Sequence, residues 1–109
     1  MFGNSMSPAV QQADIISIKT KKLDIQLTTP ELQYMVVYRF SDAIRELDPE
    51  LGLQVHRSYW VNTSAIASVH AKAKDFYLRM SNGDSVPVSG PYQGMMRELA
   101  RSHPLKLQN

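Results

Sequence analysis

The chain contains no cysteine, which removes disulfides, thiolate nucleophiles and cysteine-ligated zinc from consideration and fits a reducing cytoplasm. Its five glycines, Gly3, Gly52, Gly83, Gly90 and Gly94, are scattered, so there is no glycine-rich loop to cradle a phosphate. The longest apolar runs are a handful of residues, far short of the roughly 20 needed to cross a bilayer. Met1 to Gln12 lacks the basic start and apolar middle of a secretory signal. The three histidines, His56, His70 and His103, stand far apart, none at metal-ligand spacing from another histidine or a carboxylate. Ser58 lies near His56, but no nucleophile elbow or oxyanion loop surrounds them. Heptads and a strongly amphipathic basic helix are also missing. The expectation is a cytoplasmic protein that is not an enzyme, needs no cofactor or metal, and makes no membrane contact.

What is present is an ordinary globular composition. At 109 residues, 43% hydrophobic and 20% charged, the chain suits one domain with one continuous fold. A net charge of +2 permits contact with a polyanion without demanding it. The positive charge is dispersed: Lys19, Lys21 and Lys22, then Arg39, Arg45 and Arg57, then Lys72 and Lys74, then Arg97 and Arg101. Most such side chains are simply solvated.

Hydrophobic periodicity divides the chain. Residues 1–12 carry no apolar period and read as a tail or linker stub, 13–102 as the domain, and 103–109 as a frayed end. Asp14 to Thr20 is patterned, and Leu23, Ile25 and Leu27 alternate with Asp24, Gln26 and Thr28, the period of a half-buried strand. Leu32 to Tyr38 suits the second arm of a hairpin. Ser41 is a candidate N-cap for a short helix over 42–47, closed by Pro49. Gly52 to Asn62 reads as strand and loop around a polar His56-Arg57-Ser58 knuckle, and Ala65 to Val69 as a further strand. Phe76, Leu78 and Met80 alternate before Asn82-Gly83, a hairpin turn signal in which both residues tolerate positive φ. The return strand, 84–88, contains Pro87, which implies a sheet edge or an end of ladder pairing. Gly90-Pro91 opens a last helix, expected to bury Met95, Met96 and Leu99.

Two segments carry the functional signal: Val55-His56-Arg57-Ser58-Tyr59-Trp60-Val61-Asn62 and, about 25 residues on, Val86-Pro87-Val88-Ser89. Together, in this order, with a hairpin between them, they resemble the LytTR DNA-binding domain of bacterial transcription regulators. Arg39-Phe40-Ser41-Asp42-Ala43-Ile44, Glu46-Leu47 and Asp14-Ile15 also look like that family's helix entry and first strand. The resemblance covers roughly residues 13 to 101. It implies a mainly β fold of small antiparallel sheets in an elongated arrangement with two short helices. It also implies an output module for duplex DNA, in which loops rather than a recognition helix enter the grooves at repeated half-sites. A second copy on tandem half-sites and an upstream signalling domain in a longer chain would accompany it.

The same resemblance places base-contacting positions after the first strand, at the residue following the histidine of V-H-R-S, and just after P-V-S. Carried over, the second is Arg57, whose guanidinium suits phosphate or a narrow minor groove; the alternative for it is a structural salt bridge. His56, Ser58 and Asn62 fit a role in holding the loop's backbone, with His56 and Ser58 kept as candidate contacts. Two positions depart from the family. Lys22, Leu23 and Asp24 replace an aspartate-histidine-tyrosine run, and Gly90 stands where many relatives carry an arginine. Lys21 and Lys22 then supply phosphate attraction, and Ser89, Gly90, Tyr92 and Gln93 form the third contact region. A second reading keeps the fold but makes it an interaction or sensing module that has lost specific DNA binding.

Overall fold

The computed structural model describes residues 11–72, 75–102 and 106–108. The tail expected over 1–12 therefore lies outside the described residues except at its end. There Gln12–Asp14 forms a 3-10 turn tied to the body of the protein: the Gln12 side-chain oxygen accepts from the Asp48 amide at 3.2 Å. Among the described residues the chain then forms nine strands and two α-helices: β1 (Ser17–Lys21), β2 (Asp24–Thr28), β3 (Gln33–Val36), α1 (Phe40–Glu46), β4 (Gly52–His56), β5 (Tyr59–Asn62), β6 (Ile66–Lys72), β7 (Asp75–Met80), β8 (Ser85–Pro87), α2 (Gly90–Ser102) and β9 (Lys106–Gln108).

The strands form two sheets, ordered β3-β2-β1-β5-β4 and β8-β7-β6-β9. All pairings are antiparallel except β6 with β9. The mainly β architecture with two helices is thus present, in a body measuring 40 × 25 × 22 Å.

Successive residues on a strand face opposite sides of the sheet, and the first sheet uses both sides. Ile15, Ile18, Ile25, Leu27 and Trp60 project to one face and pack with Ala43 and Leu47 of the α1 region. Their neighbours Ile16 and Val61 project to the other, joining Val55, Val69, Phe76, Leu78, Val86 and Met96 in a core between the sheets and α2. The adjacent apolar pairs Ile15-Ile16 and Trp60-Val61 are what let one sheet serve two cores.

Three local expectations are corrected. Helix α1 begins at Phe40 with Arg39 as N-cap, and Ser41 lies inside it. An earlier start places Phe40, Ala43, Ile44 and Leu47 at i, i+3, i+4 and i+7 on the core-facing stripe, which outweighs the capping preference of serine. Met95 is 44% exposed whereas Met96 is fully buried; the buried stripe of α2 runs Tyr92, Met96, Leu99, again i, i+4, i+7. The frayed end expected from residue 103 is replaced over Lys106–Gln108 by β9, paired with Ser68 to His70. An open sheet edge offers unpaired N–H and C=O groups to any nearby extended segment; residues 103–105 and 109 lie outside the described residues.

Pro87 sits, as its missing N–H requires, on an edge strand. In the Asn82-Gly83 turn only Gly83 takes positive φ, at 93°. Asn82 instead accepts the Asp84 amide on its side-chain oxygen at 3.1 Å, an Asx turn.

Candidate nucleic-acid interface

The central element is the hairpin of β4 and β5. Its register shifts between Gln54 and His56, a bulge at Val55 that tightens local twist and re-aims the residues after it. Val55 itself is anchored, with no exposure, in the core between the sheets. The chain then turns through Arg57 and Ser58. His56 fixes that turn: its Nδ1 accepts the Ser58 amide at 3.1 Å, its carbonyl accepts from the Gln54 side chain at 3.1 Å, and its ring meets the edge of Tyr59 at 5.6 Å. With Nδ1 as acceptor, the neutral ring carries its proton on Nε2. Asn62, 1% exposed, closes the far end of β5. It accepts the Ser64 amide and hydroxyl and donates to the Ala13 carbonyl. His56 holds the backbone of the Arg57 turn, as the sequence suggests, whereas Asn62 holds backbone at Ala13 and Ser64, away from that turn.

Arg57 is exposed at the apex. Among the described residues the ion pairs are Asp42–Arg45 and Glu98–Arg101, so the salt-bridge alternative for Arg57 finds no partner there.

The register brings a second loop alongside. β1 pairs with β5 through Lys19 and Tyr59, and beyond that pair the Thr20 amide donates to the Ser58 carbonyl at 2.9 Å. The β1–β2 tip therefore leaves the sheet next to the Arg57 tip. That tip is a two-residue loop, Lys22-Leu23, closed by the Lys21–Asp24 pair. Lys22 has φ 59°, the positive-φ residue other than glycine among those described. Lys21, Lys22 and Leu23 are all exposed. Just behind them Lys19 lies over the Tyr59 ring, its Nζ 6.0 Å from the centroid.

The third region adjoins from the opposite side. The Ser89 amide donates to the Val55 carbonyl at 3.1 Å, two residues from Arg57, which seats the start of α2 against the outer edge of β4. Gly90 is exposed there with open space around its Cα. Tyr92 and Gln93 are half-buried; the Tyr92 amide bonds back to the Ser89 carbonyl at 2.9 Å, and the Gln93 side chain reaches the Val88 carbonyl at 3.4 Å. No acidic residue occupies the first turn of α2.

Lys21, Lys22, His56, Arg57, Ser58, Ser89, Gly90, Tyr92 and Gln93 are thus brought to one end of the first sheet. Their order across it is β2–β1 tip, β5–β4 tip, α2 start. At about 4.8 Å per strand this row spans about 20 Å, more than the roughly 12 Å width of a major groove. Two features of the site have no local signal in the sequence. The Val55 bulge has no composition signal, and the position of Lys19 behind the tips depends on the β1–β5 pairing, which joins segments some 40 residues apart.

Comparison with known proteins identifies the family and the fold. The profile of the LytTr DNA-binding domain matches residues 8–101. A solved structure from Bacillus cereus, the LytTr DNA-binding domain of a protein described as a putative methyl-accepting/DNA response regulator, is 26% identical to this chain. It superposes with a TM-score of 0.75 over 84% of each chain. A search of curated proteins finds no match. The matching family is a DNA-binding domain family and not a family of enzymes, and no helix among the described residues is long and apolar enough to cross a membrane. With its profile matched over most of its length and its fold shared with a solved member, this chain belongs to the LytTr DNA-binding domain family.

Proposed function

We propose that the chain is the output domain of a cytoplasmic transcription regulator that lays the loops Lys21–Leu23, His56–Ser58 and Ser89–Gln93 along duplex DNA. The observation that carries this reading is their convergence on one end of the five-stranded sheet, with an exposed guanidinium at the centre. In it Arg57 contacts phosphate or enters a narrow minor groove, where the negative potential favours a guanidinium. Lys21 and Lys22 attract the phosphate spine as point charges, and His56 keeps the Arg57 turn in shape. Ser89, Tyr92 and Gln93 offer polar contacts, and Gly90 allows close backbone approach. The start of α2 contributes little as an amide cradle, because Pro91 has no N–H and the Tyr92 N–H is already used. The domain acts in pairs on repeated half-sites, under an upstream signalling domain.

The test is selection of bound duplexes from a random pool, followed by a salt titration on the winner. A recurring motif, with log affinity falling linearly against log salt, is expected. A pool that never enriches would instead favour the module that has lost specific binding.

Two variants probe the flanking loops. Lys22→Ala is expected to weaken all duplexes by a similar factor and to flatten the salt slope by about 0.9, the loss of one phosphate contact. A change confined to the preferred sequence would remove the phosphate role from this loop. Gly90→Arg is a gain-of-function variant: a side chain meets nothing within 4 Å at this position, and arginine can grip guanine through two hydrogen bonds. Affinity for duplexes with a guanine at the third contact is expected to rise about tenfold, within the roughly 1–3 kcal/mol of such a pair. No gain on any duplex of a guanine-scanning set would mean that the start of α2 does not face a groove.

A further inference from the structure

We infer that Leu23 reads DNA as an apolar probe, contacting the C5-methyl group of a thymine in the major groove. The inference rests on the proposed DNA-binding function and assigns a base chemistry to its first loop. Leu23 is 90% exposed, the highest value among the large hydrophobic side chains of the described residues. A lone exposed leucine is ordinary on a protein surface; the turn that holds this one is not. Two-residue hairpin loops favour Asn, Asp and Gly, yet this loop is Lys22-Leu23, with Lys22 held in the left-handed region at φ 59°, uncommon for a residue with a Cβ. The same chain builds its β7–β8 tip from Asn82 and Gly83, where Gly83 takes the positive φ. The two-residue turn itself asks for positive φ at its first position; what it does not ask for is a lysine and a leucine there, so the choice of residues at this exposed tip points to use.

The surroundings say what the use is. The tip is fastened by a five-pair ladder with β2, stands beside Arg57, and carries Lys21 and Lys22 at its turn. Cations that hold the phosphate spine bring the leucine to the groove floor. A leucine cannot hydrogen-bond to base edges. The apolar group that a duplex presents there is the thymine methyl, which lies in the major groove, and that groove admits a two-stranded β-ribbon.

The experiment uses the duplex selected from the random pool, remade with deoxyuridine in place of each thymine in turn, which deletes only the methyl group. Wild-type binding is expected to fall threefold to fivefold at one or two of these positions, the factor for one buried methyl-sized group. Leu23→Ala is expected to bind the thymine duplex more weakly by the same factor and to be indifferent to deoxyuridine at those positions, with an unchanged thermal melt. Full deoxyuridine sensitivity in Leu23→Ala, or none in the wild type while tight binding persists, overturns the methyl contact alone. So does a duplex bend that is lost in Leu23→Ala but insensitive to deoxyuridine, the behaviour of a wedge between base steps. Failure of any duplex to enrich overturns the DNA-binding reading itself and this inference with it.

Discussion

Arg57→Ala is expected to weaken binding to the selected duplex by about 1–3 kcal/mol, the range of one good charged or base contact, while leaving the thermal melt where it was. The two halves of that expectation come from different observations. The guanidinium is exposed at the apex of a turn and takes part in neither ion pair among the described residues, so its deletion strands no buried partner. The turn itself is held by the His56 ring and the Ser58 amide and by the Thr20–Ser58 bond to the neighbouring strand; none of these uses the Arg57 side chain. Arg57→Lys separates the two ways in which the residue can act. If it serves as a phosphate clamp, lysine keeps the charge, the salt slope and most of the affinity. If it reads a narrow minor groove, lysine keeps the slope but loses preference among sequences, because an ammonium is more strongly hydrated and lacks the planar fork. Affinity unchanged in Arg57→Ala, on duplexes that the wild type binds tightly, would remove the central loop from the interface.

The mainly β, two-helix architecture and the polar loops proposed for the interface are both legible in the sequence, whereas the pairing of the strands is not, and for a physical reason. A loop whose side chains face solvent is free of packing demands, so a polar knuckle between apolar runs, Val55 then His56-Arg57-Ser58 then Tyr59, marks itself in the sequence. The hairpin arms are legible too, since alternation in Leu23, Ile25 and Leu27 is a local property. What local pattern does not carry is the partner of each strand. The β1–β5 pairing that sets the Lys22 tip beside Arg57, the Ser89–Val55 bond that adds the start of α2, and the parallel docking of β9 on β6 all join distant segments. Helix ends escape the local pattern for a related reason. Ser41 is the better isolated cap, but burying Phe40 together with Ala43, Ile44 and Leu47 is worth more than the roughly 1 kcal/mol a cap contributes. Met95 and Met96 are equally apolar neighbours, and only the phase of α2 against β4 decides which one is buried.

The largest loss of stability is expected from one added methyl group, in Gly52→Ala. Gly52 pairs with Asn62 where β4 begins, and a Cβ built there would lie 2.5 Å from Cζ2 of Trp60, 2.9 Å from the Val61 carbonyl carbon and closer still to its oxygen. Neither neighbour can give way cheaply. Trp60 is 2% exposed and Val61 fully buried, on opposite faces of the sheet, so relief requires the β4 backbone to move off β5. Overpacking of this kind costs about 3 kcal/mol, which for a domain of this size lowers the melting temperature by about 10–20 °C. Gly94→Ala supplies the contrast within the same chain: it lies in α2 with nothing within 4 Å of its added Cβ, and alanine there should stabilise by about 1 kcal/mol. DNA binding sharpens the comparison. Because β4 delivers both the Val55 bulge and the Arg57 turn, Gly52→Ala should weaken binding even well below its melting temperature, whereas Gly94→Ala should not. A Gly52→Ala protein with a wild-type melt would mean that β4 can shift along β5 at little cost, and a strand that shifts so easily could not hold Arg57 in register with the Lys22 tip.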